Sequence, residues 1–200
     1  MPFKPKEREY RAFISMTAIE NDAAAPAYQV KGRAVVFNQP TCLFEMDGVK
    51  YYEIIDRNAF TGADLTDVIM NYNHGGKVVA RLKNNTLKLI ITNDGLDIIA
   101  DLSGTEEGRK LYEEIRGGYI DKMSFAFTVV EPGGEEYDPD THTRTVLRIK
   151  KLYDVSAVDI PAYEQTSLSA RKSFEAEHAK EIKRLEYERR RKLLIAETLI

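Results

Sequence analysis

The sequence predicts a mainly β protein with helices, of the α+β class, and three observations carry that expectation. Short runs of alternating apolar and polar residues follow one another closely from Glu9 to about residue 160. Clusters of Asn, Asp, Gly and Pro punctuate them. Only a stretch after Ser103 and the last segment of the chain show the three- and four-residue apolar spacing of a helix. Strands so closely spaced argue for an antiparallel barrel or sandwich and against a parallel α/β sheet.

Taken in order, Arg8 to Ile19 and Tyr28 to Phe37 alternate as strands, parted by Asn21-Asp22 and the stretch from Ala23 to Pro26. Val49 to Ile55 is approached through Asp47-Gly48. Val68 to Tyr72, Val78 to Leu82, Thr86 to Thr92 and Leu96 to Leu102 follow, with Lys83-Asn84-Asn85 and Asn93-Asp94-Gly95 reading as hairpin turns. Ser103-Gly104-Thr105-Glu106 has the S-x-x-E form of a capping box. Leu111, Tyr112 and Ile115 then make an apolar stripe, and Gly117-Gly118 supply a left-handed stop. That helix leads into the strand around Ser124. A loop with Pro132, Gly133, Gly134 and Pro139 precedes a last strand region from Arg144 to Ile160, ended by Pro161.

From Lys172 to Ile200 there is no glycine or proline, and Glu, Lys, Arg, Leu and Ala dominate. Phe174, His178, Ile182, Leu185 and Leu193 fall on one helical seam, interrupted at Arg189. The chain therefore divides into a domain of residues 1–171 and an amphipathic helical tail of residues 172–200. Such a tail either docks on its own domain or frays in solvent, or else it is a coiled-coil-like arm that binds another helix or a scaffold.

With 200 residues the chain can bury one sizeable core. A composition of 43% hydrophobic and 30% charged residues is that of a soluble globular protein, and a net charge of −3 offers nucleic acid or an anionic membrane no general attraction. One cysteine excludes an internal disulfide and fits a reducing compartment. No apolar run approaches the roughly 18 residues that span a bilayer. The N-terminus has basic residues without an apolar stretch behind them, unlike a signal peptide. These features place the chain as soluble and intracellular.

Chemistry enters at Met123-Ser124-Phe125-Ala126-Phe127. In a strand, Met123, Phe125 and Phe127 share one face while Ser124, Ala126 and Thr128 share the other. A small hydroxyl on a face kept clear of bulk is one a substrate can reach. Serine attacks a carbonyl only when a base takes its proton, and histidine, with an ordinary pKa of about 6.5, suits that task. Among the three histidines, His142 sits in a polar turn and His178 on the tail seam, which leaves His74 in Asn73-His74-Gly75-Gly76. Spacing alone gives the pair little weight, because most serines and histidines are structural. Three scattered histidines and one cysteine form no metal-ligand spacing. Asp138, Asp140 and Thr141 lack the offsets of a calcium loop, and no glycine-rich phosphate loop exists. No metal and no cofactor is expected.

Several segments in order resemble the tailed-phage prohead protease family, capsid maturation serine proteases related in fold to the herpesvirus assemblins. They are Gly32-Arg33-Ala34 with Phe37-Asn38, Glu53-Ile54-Ile55 with Asn58-Ala59-Phe60, and Asn73-His74 with Ala80-Arg81. Gly108 to Gly117, Met123 to Phe127, and Leu152 to Val158 with Pro161-Ala162-Tyr163 complete the series. The resemblance covers about residues 28–171. It implies a closed or nearly closed antiparallel β-barrel flanked by helices, acting as a serine endopeptidase. By position, Ser124 would be the nucleophile, His74 the general base and Asp154 the third member. Asp159, on the opposite strand face, is the alternative. Backbone amides near Ala162 and Tyr163 would form the oxyanion hole. The implied partners are the major capsid protein with its scaffold segment, and the protease itself through self-cleavage or oligomerisation, with neither nucleic acid nor membrane. The setting would be a viral procapsid in the host cytoplasm. Gly75 stands where the family usually has aspartate, and Ala126 where it has glycine. The rival reading is a non-catalytic barrel that serves as a capsid assembly or scaffolding factor through its tail.

Overall fold

The computed structural model describes residues 8–14, 16–19, 28–46, 48–159, 183–184 and 186–191. In chain order its strands are β1 (Glu9–Ile14), β2 (Met16–Ala18), β3 (Gln29–Val36), β4 (Thr41–Met46), β5 (Val49–Ile55), β6 (Ile69–Tyr72), β7 (Gly75–Arg81), β8 (Leu87–Ile91) and β9 (Gly95–Asp101). Helix α1 (Glu106–Arg116) follows, then β10 (Lys122–Val129), β11 (Glu135–Asp138), β12 (Thr143–Val146) and β13 (Ile149–Val158). The mainly β architecture with few helices matches the expectation.

The closed or nearly closed antiparallel barrel does not. Among the described residues the strands lie in three open sheets, ordered β1-β10-β13-β6-β7, β11-β12-β5-β4 and β2-β3-β9-β8. Two of the pairings, β12 with β5 and β13 with β6, are parallel. The reason lies in the connections. Lys83-Asn84-Asn85, expected as a hairpin turn, belongs to a 3₁₀ turn (Leu82–Asn84) closed by Asn85 at φ 61°. It carries the chain from β7 in one sheet to β8 in another. Asn93-Asp94-Gly95 does close a hairpin, with Ile91 opposite Leu96. The single strand expected from Arg144 to Ile160 is two strands in different sheets, β12 and β13. The break falls at Leu147-Arg148, whose amides both donate to the Gly134 carbonyl.

One hydrophobic core joins the three sheets. Phe125, Phe127 and Met70 come from the first, Val146 and Ile55 from the second, and Val30, Leu96 and Ile98 from the third. A charged cluster also bridges the first two. Arg11 on β1 and Arg144 on β12 share Glu9 and Glu53, and Arg144 also binds Glu135. The four side chains other than Glu135 are all but fully buried. Burial alone would pull both guanidinium groups down. The Glu53 and Glu9 carboxylates outweigh it and hold Arg11 and Arg144 above their ordinary value.

Helix α1 buries Leu111, Tyr112 and Ile115, the expected stripe. Its N-cap is Thr105, not Ser103: Thr105 Oγ1 accepts from the Gly108 amide at 2.9 Å, while the Ser103 amide is engaged by Asp101. The left-handed stop is Gly118 alone, at φ 73°, because Gly117 stays right-handed. Of the expected tail, residues 183–184 and 186–191 are helical and exposed, and the remainder of 172–200, His178 included, lies outside the described residues.

Candidate active site

Strand β10 lies inside its sheet, with β1 on one side and β13 on the other. Antiparallel register sets Ser124 opposite Ser156, and Ala126 opposite Asp154. Residues directly opposite share a face, so Ser124, Ala126, Asp154 and Ser156 all project to one side. Met123, Phe125, Phe127 and Val155 project to the other, into the core. The face expected from the sequence alternation around Ser124 is therefore the observed one.

His74 arrives from the far side of β13. Strand β6 runs parallel to β13, pairing Ile69 with Asp154 and Tyr72 with Ala157. Its hairpin with β7 turns on two residues, Asn73 at φ 49° and His74 at φ 56°, between the paired Tyr72 and Gly75. Both central residues of such a turn need positive φ, which asparagine tolerates and glycine prefers. Histidine in the second place is strained backbone, held by its surroundings. The Asn73 amide donates to the Ala157 carbonyl at 2.9 Å, and the Asn73 side-chain oxygen accepts from the Asp159 amide at 3.3 Å. These bonds pin the turn to the end of β13.

The three side chains meet. His74 Nε2 lies 2.5 Å from Ser124 Oγ, and His74 Nδ1 lies 2.6 Å from Asp154 Oδ1. Asp159 stands apart on the other side of the turn, accepting from the Tyr72 hydroxyl at 2.7 Å, as face alternation anticipates. An imidazole held by a carboxylate at one nitrogen and a hydroxyl at the other can take the hydroxyl proton while the carboxylate stabilises the resulting imidazolium. The sequence profile of the caudovirus prohead serine proteases matches residues 15–181. The chain belongs to this family. No curated protein and no solved structure matches it.

Membership makes the chain a serine protease of phage capsid maturation, which acts within the prohead. The prohead protease buries what its sequence suggested would be reachable. Ser124 is 0% exposed, and the Tyr10 ring packs edge-on against His74 with centroids 4.5 Å apart. Tyr10 stands opposite Ala126 on β1 and so shares the Ser124 face. Asn71 and Ser156 also reach Asp154 or its neighbours. Sequence reasoning missed all three, although Asn71 lies in the same short segment as His74. A cleft of about 890 Å³ opens beside the His74 turn, between Tyr72, Asn73 and Gly75 on the hairpin and Leu111 on α1, with Tyr119 and Ile120 beyond.

Elsewhere the sequence candidates fall away from the site. His142, expected in a solvated turn, is half-buried, with its ring 5.2 Å from that of Tyr51. Asp138 accepts from the Asp140 amide and the Thr141 hydroxyl, which closes that turn. Among the described residues no group of three or more His, Cys, Asp or Glu side chains could hold a metal, and no helix is long and apolar enough to cross a membrane. Ala162 and Tyr163, the expected oxyanion-hole positions, lie outside the described residues.

Proposed function

We propose that this prohead protease cleaves scaffold segments of the major capsid protein, and itself, by an acyl-enzyme mechanism with Ser124 as nucleophile, His74 as general base and Asp154 as its carboxylate partner. The observation that carries the reading is the continuous hydrogen-bonded run from Asp154 through His74 to Ser124. It joins three elements distant in sequence, and a hydrogen bond on each imidazole nitrogen is what the chemistry requires. In the forward step Ser124 Oγ bonds to the scissile carbonyl carbon while its proton passes to His74 Nε2. The same proton then moves to the leaving amine, the C–N bond breaks, and an ester remains on Ser124. Water, deprotonated by His74, attacks that ester, the C–O bond to Ser124 breaks, the proton on His74 passes to Ser124 Oγ, and the new carboxyl terminus is released. Asp154 holds the Nδ1–H tautomer and offsets the imidazolium charge, without itself taking the proton.

The test is coexpression with the capsid protein of the same phage, followed by mass analysis of the subunit termini. The wild-type chain should yield a defined new terminus, and Ser124→Ala should slow its appearance by about 10⁴- to 10⁶-fold. Undiminished cleavage with Ser124→Ala would remove this assignment. Normal shell assembly with no new terminus, and no fluorophosphonate adduct on Ser124, would favour a non-catalytic assembly factor acting through the tail.

A further inference from the structure

Two side chains outside this triad form a chain that ends on its carboxylate. Ser156, 0% exposed, sets its Oγ 2.7 Å from Asp154 Oδ1, the same oxygen that His74 Nδ1 meets at 2.6 Å. Ser156 Oγ also lies 2.6 Å from the side-chain oxygen of Asn71, which is 6% exposed. A hydroxyl carries one proton and can donate to only one of these oxygens. An ionised Asp154 carries none, so the contact at 2.7 Å needs the Ser156 proton. The contact with Asn71 then needs a proton from Asn71. The two ends of a primary amide have the same shape, and turning Nδ2 toward Ser156 lets both Ser156 contacts be hydrogen bonds.

We propose that Asn71 and Ser156 are positioning residues for the triad, forming a relay in which Asn71 Nδ2–H donates to Ser156 Oγ and Ser156 O–H donates to Asp154 Oδ1. The proposal rests on the triad reading above. Two donors on one carboxylate oxygen fix the carboxylate plane, and with it the imidazole ring and its Nδ1–H tautomer. They also spread the negative charge of a side chain that is only 4% exposed. The relay is built into the sheet. Ser156 stands opposite Ser124 across β10 and β13, and Asn71 comes from β6, the strand that also leads to His74.

Removing the Ser156 hydroxyl concentrates charge on Asp154 Oδ1, which then holds the imidazolium more tightly. With a peptide spanning the mapped cleavage site, Ser156→Ala should lower kcat about tenfold, leave KM within about twofold, and move the acidic limb of the kcat profile to higher pH. Asn71→Ala should have a smaller effect. Because Asn71 acts through Ser156, the double variant should be no slower than Ser156→Ala alone. Urea unfolding midpoints serve as the check on folding, and if Ser156→Ala does not fold, Ser156→Cys supplies the same comparison with a weak donor of similar size.

Unchanged kcat and an unmoved acidic limb in Ser156→Ala, with Ser124→Ala inactive, would overturn the relay and leave the triad intact. Independent, multiplying losses from Asn71→Ala and Ser156→Ala would overturn the role of Asn71 as acting through Ser156. Activity surviving Ser124→Ala would instead overturn the triad, and the relay with it.

Discussion

At the scale of single residues, strand faces set which carboxylate reaches His74. Asp154 and Asp159 are five residues apart, so a regular strand turns them to opposite sides. Asp154 receives His74 Nδ1 at 2.6 Å, whereas Asp159 receives the Tyr72 hydroxyl on the outer side of the turn. Asp154→Asn should reduce kcat about 10⁴-fold, because an amide can present a donor to Nδ1 and stabilise the wrong tautomer. Asp159→Asn should leave turnover near normal. The reverse pattern would exchange their roles. Ser124 and His74 were legible as candidates because hydroxyl and imidazole are rare in useful combinations in a chain with three histidines. Asn71 and Ser156 were not. Neither residue type marks a site by itself, and only the contacts from Asn71 to Ser156 and from Ser156 to Asp154 separate these two from the rest.

At the scale of elements, the β6–β7 hairpin is where fold and chemistry meet. Its two-residue turn demands positive φ at Asn73 and His74. Asn73→Val would place a β-branched side chain in that region, at a cost of about 1–2 kcal/mol. The urea midpoint should fall accordingly, and peptide cleavage should fall further than stability explains, because His74 follows in the same turn. The opposite end of this hairpin is tied by charge. Hydrogen bonds from Arg81 and Lys83 hold the Asp67 carboxyl well below the usual carboxylate range. A carboxyl depressed by folding contributes stability above its unfolded pKa of about 3.9, and that contribution is lost as pH falls through the folded value. The unfolding midpoint should therefore drop below about pH 4, and the drop should be smaller in Asp67→Asn. An equal drop in both proteins would assign the acid sensitivity elsewhere.

At the scale of the whole molecule, the three sheets are held by a shared apolar core and by the buried charges of Glu9, Arg11, Glu53 and Arg144. Removing one member leaves the others desolvated without compensation, so Arg144→Met should destabilise by about 3–5 kcal/mol. The midpoint of chemical unfolding measures it. A shift under about 1 kcal/mol would mean that the carboxylates relax or take up protons. Because β1 carries both Arg11 of this cluster and Tyr10 against His74, the same variant should also disturb turnover. The cluster had no signature in the sequence, where Glu9, Glu53 and Arg144 are ordinary charged residues far apart.

By itself the sequence determined most of the strands, the helix α1 with its buried stripe, the face of β10 that bears Ser124, and the parity that separates Asp154 from Asp159. These follow from local rules of alternation, helical spacing and turn chemistry, each acting over a few residues. Only the tertiary structure decided which strands pair, and therefore that the sheets stay open, that β12 and β13 part company, and that β4 and β11 form at all. It also decided that Ser124 is buried beneath His74 with Tyr10 beside it, and that Ser156 and Asn71 stand behind Asp154. Strand partners are chosen by which buried faces and charges fit together across the whole chain, and that competition has no local trace.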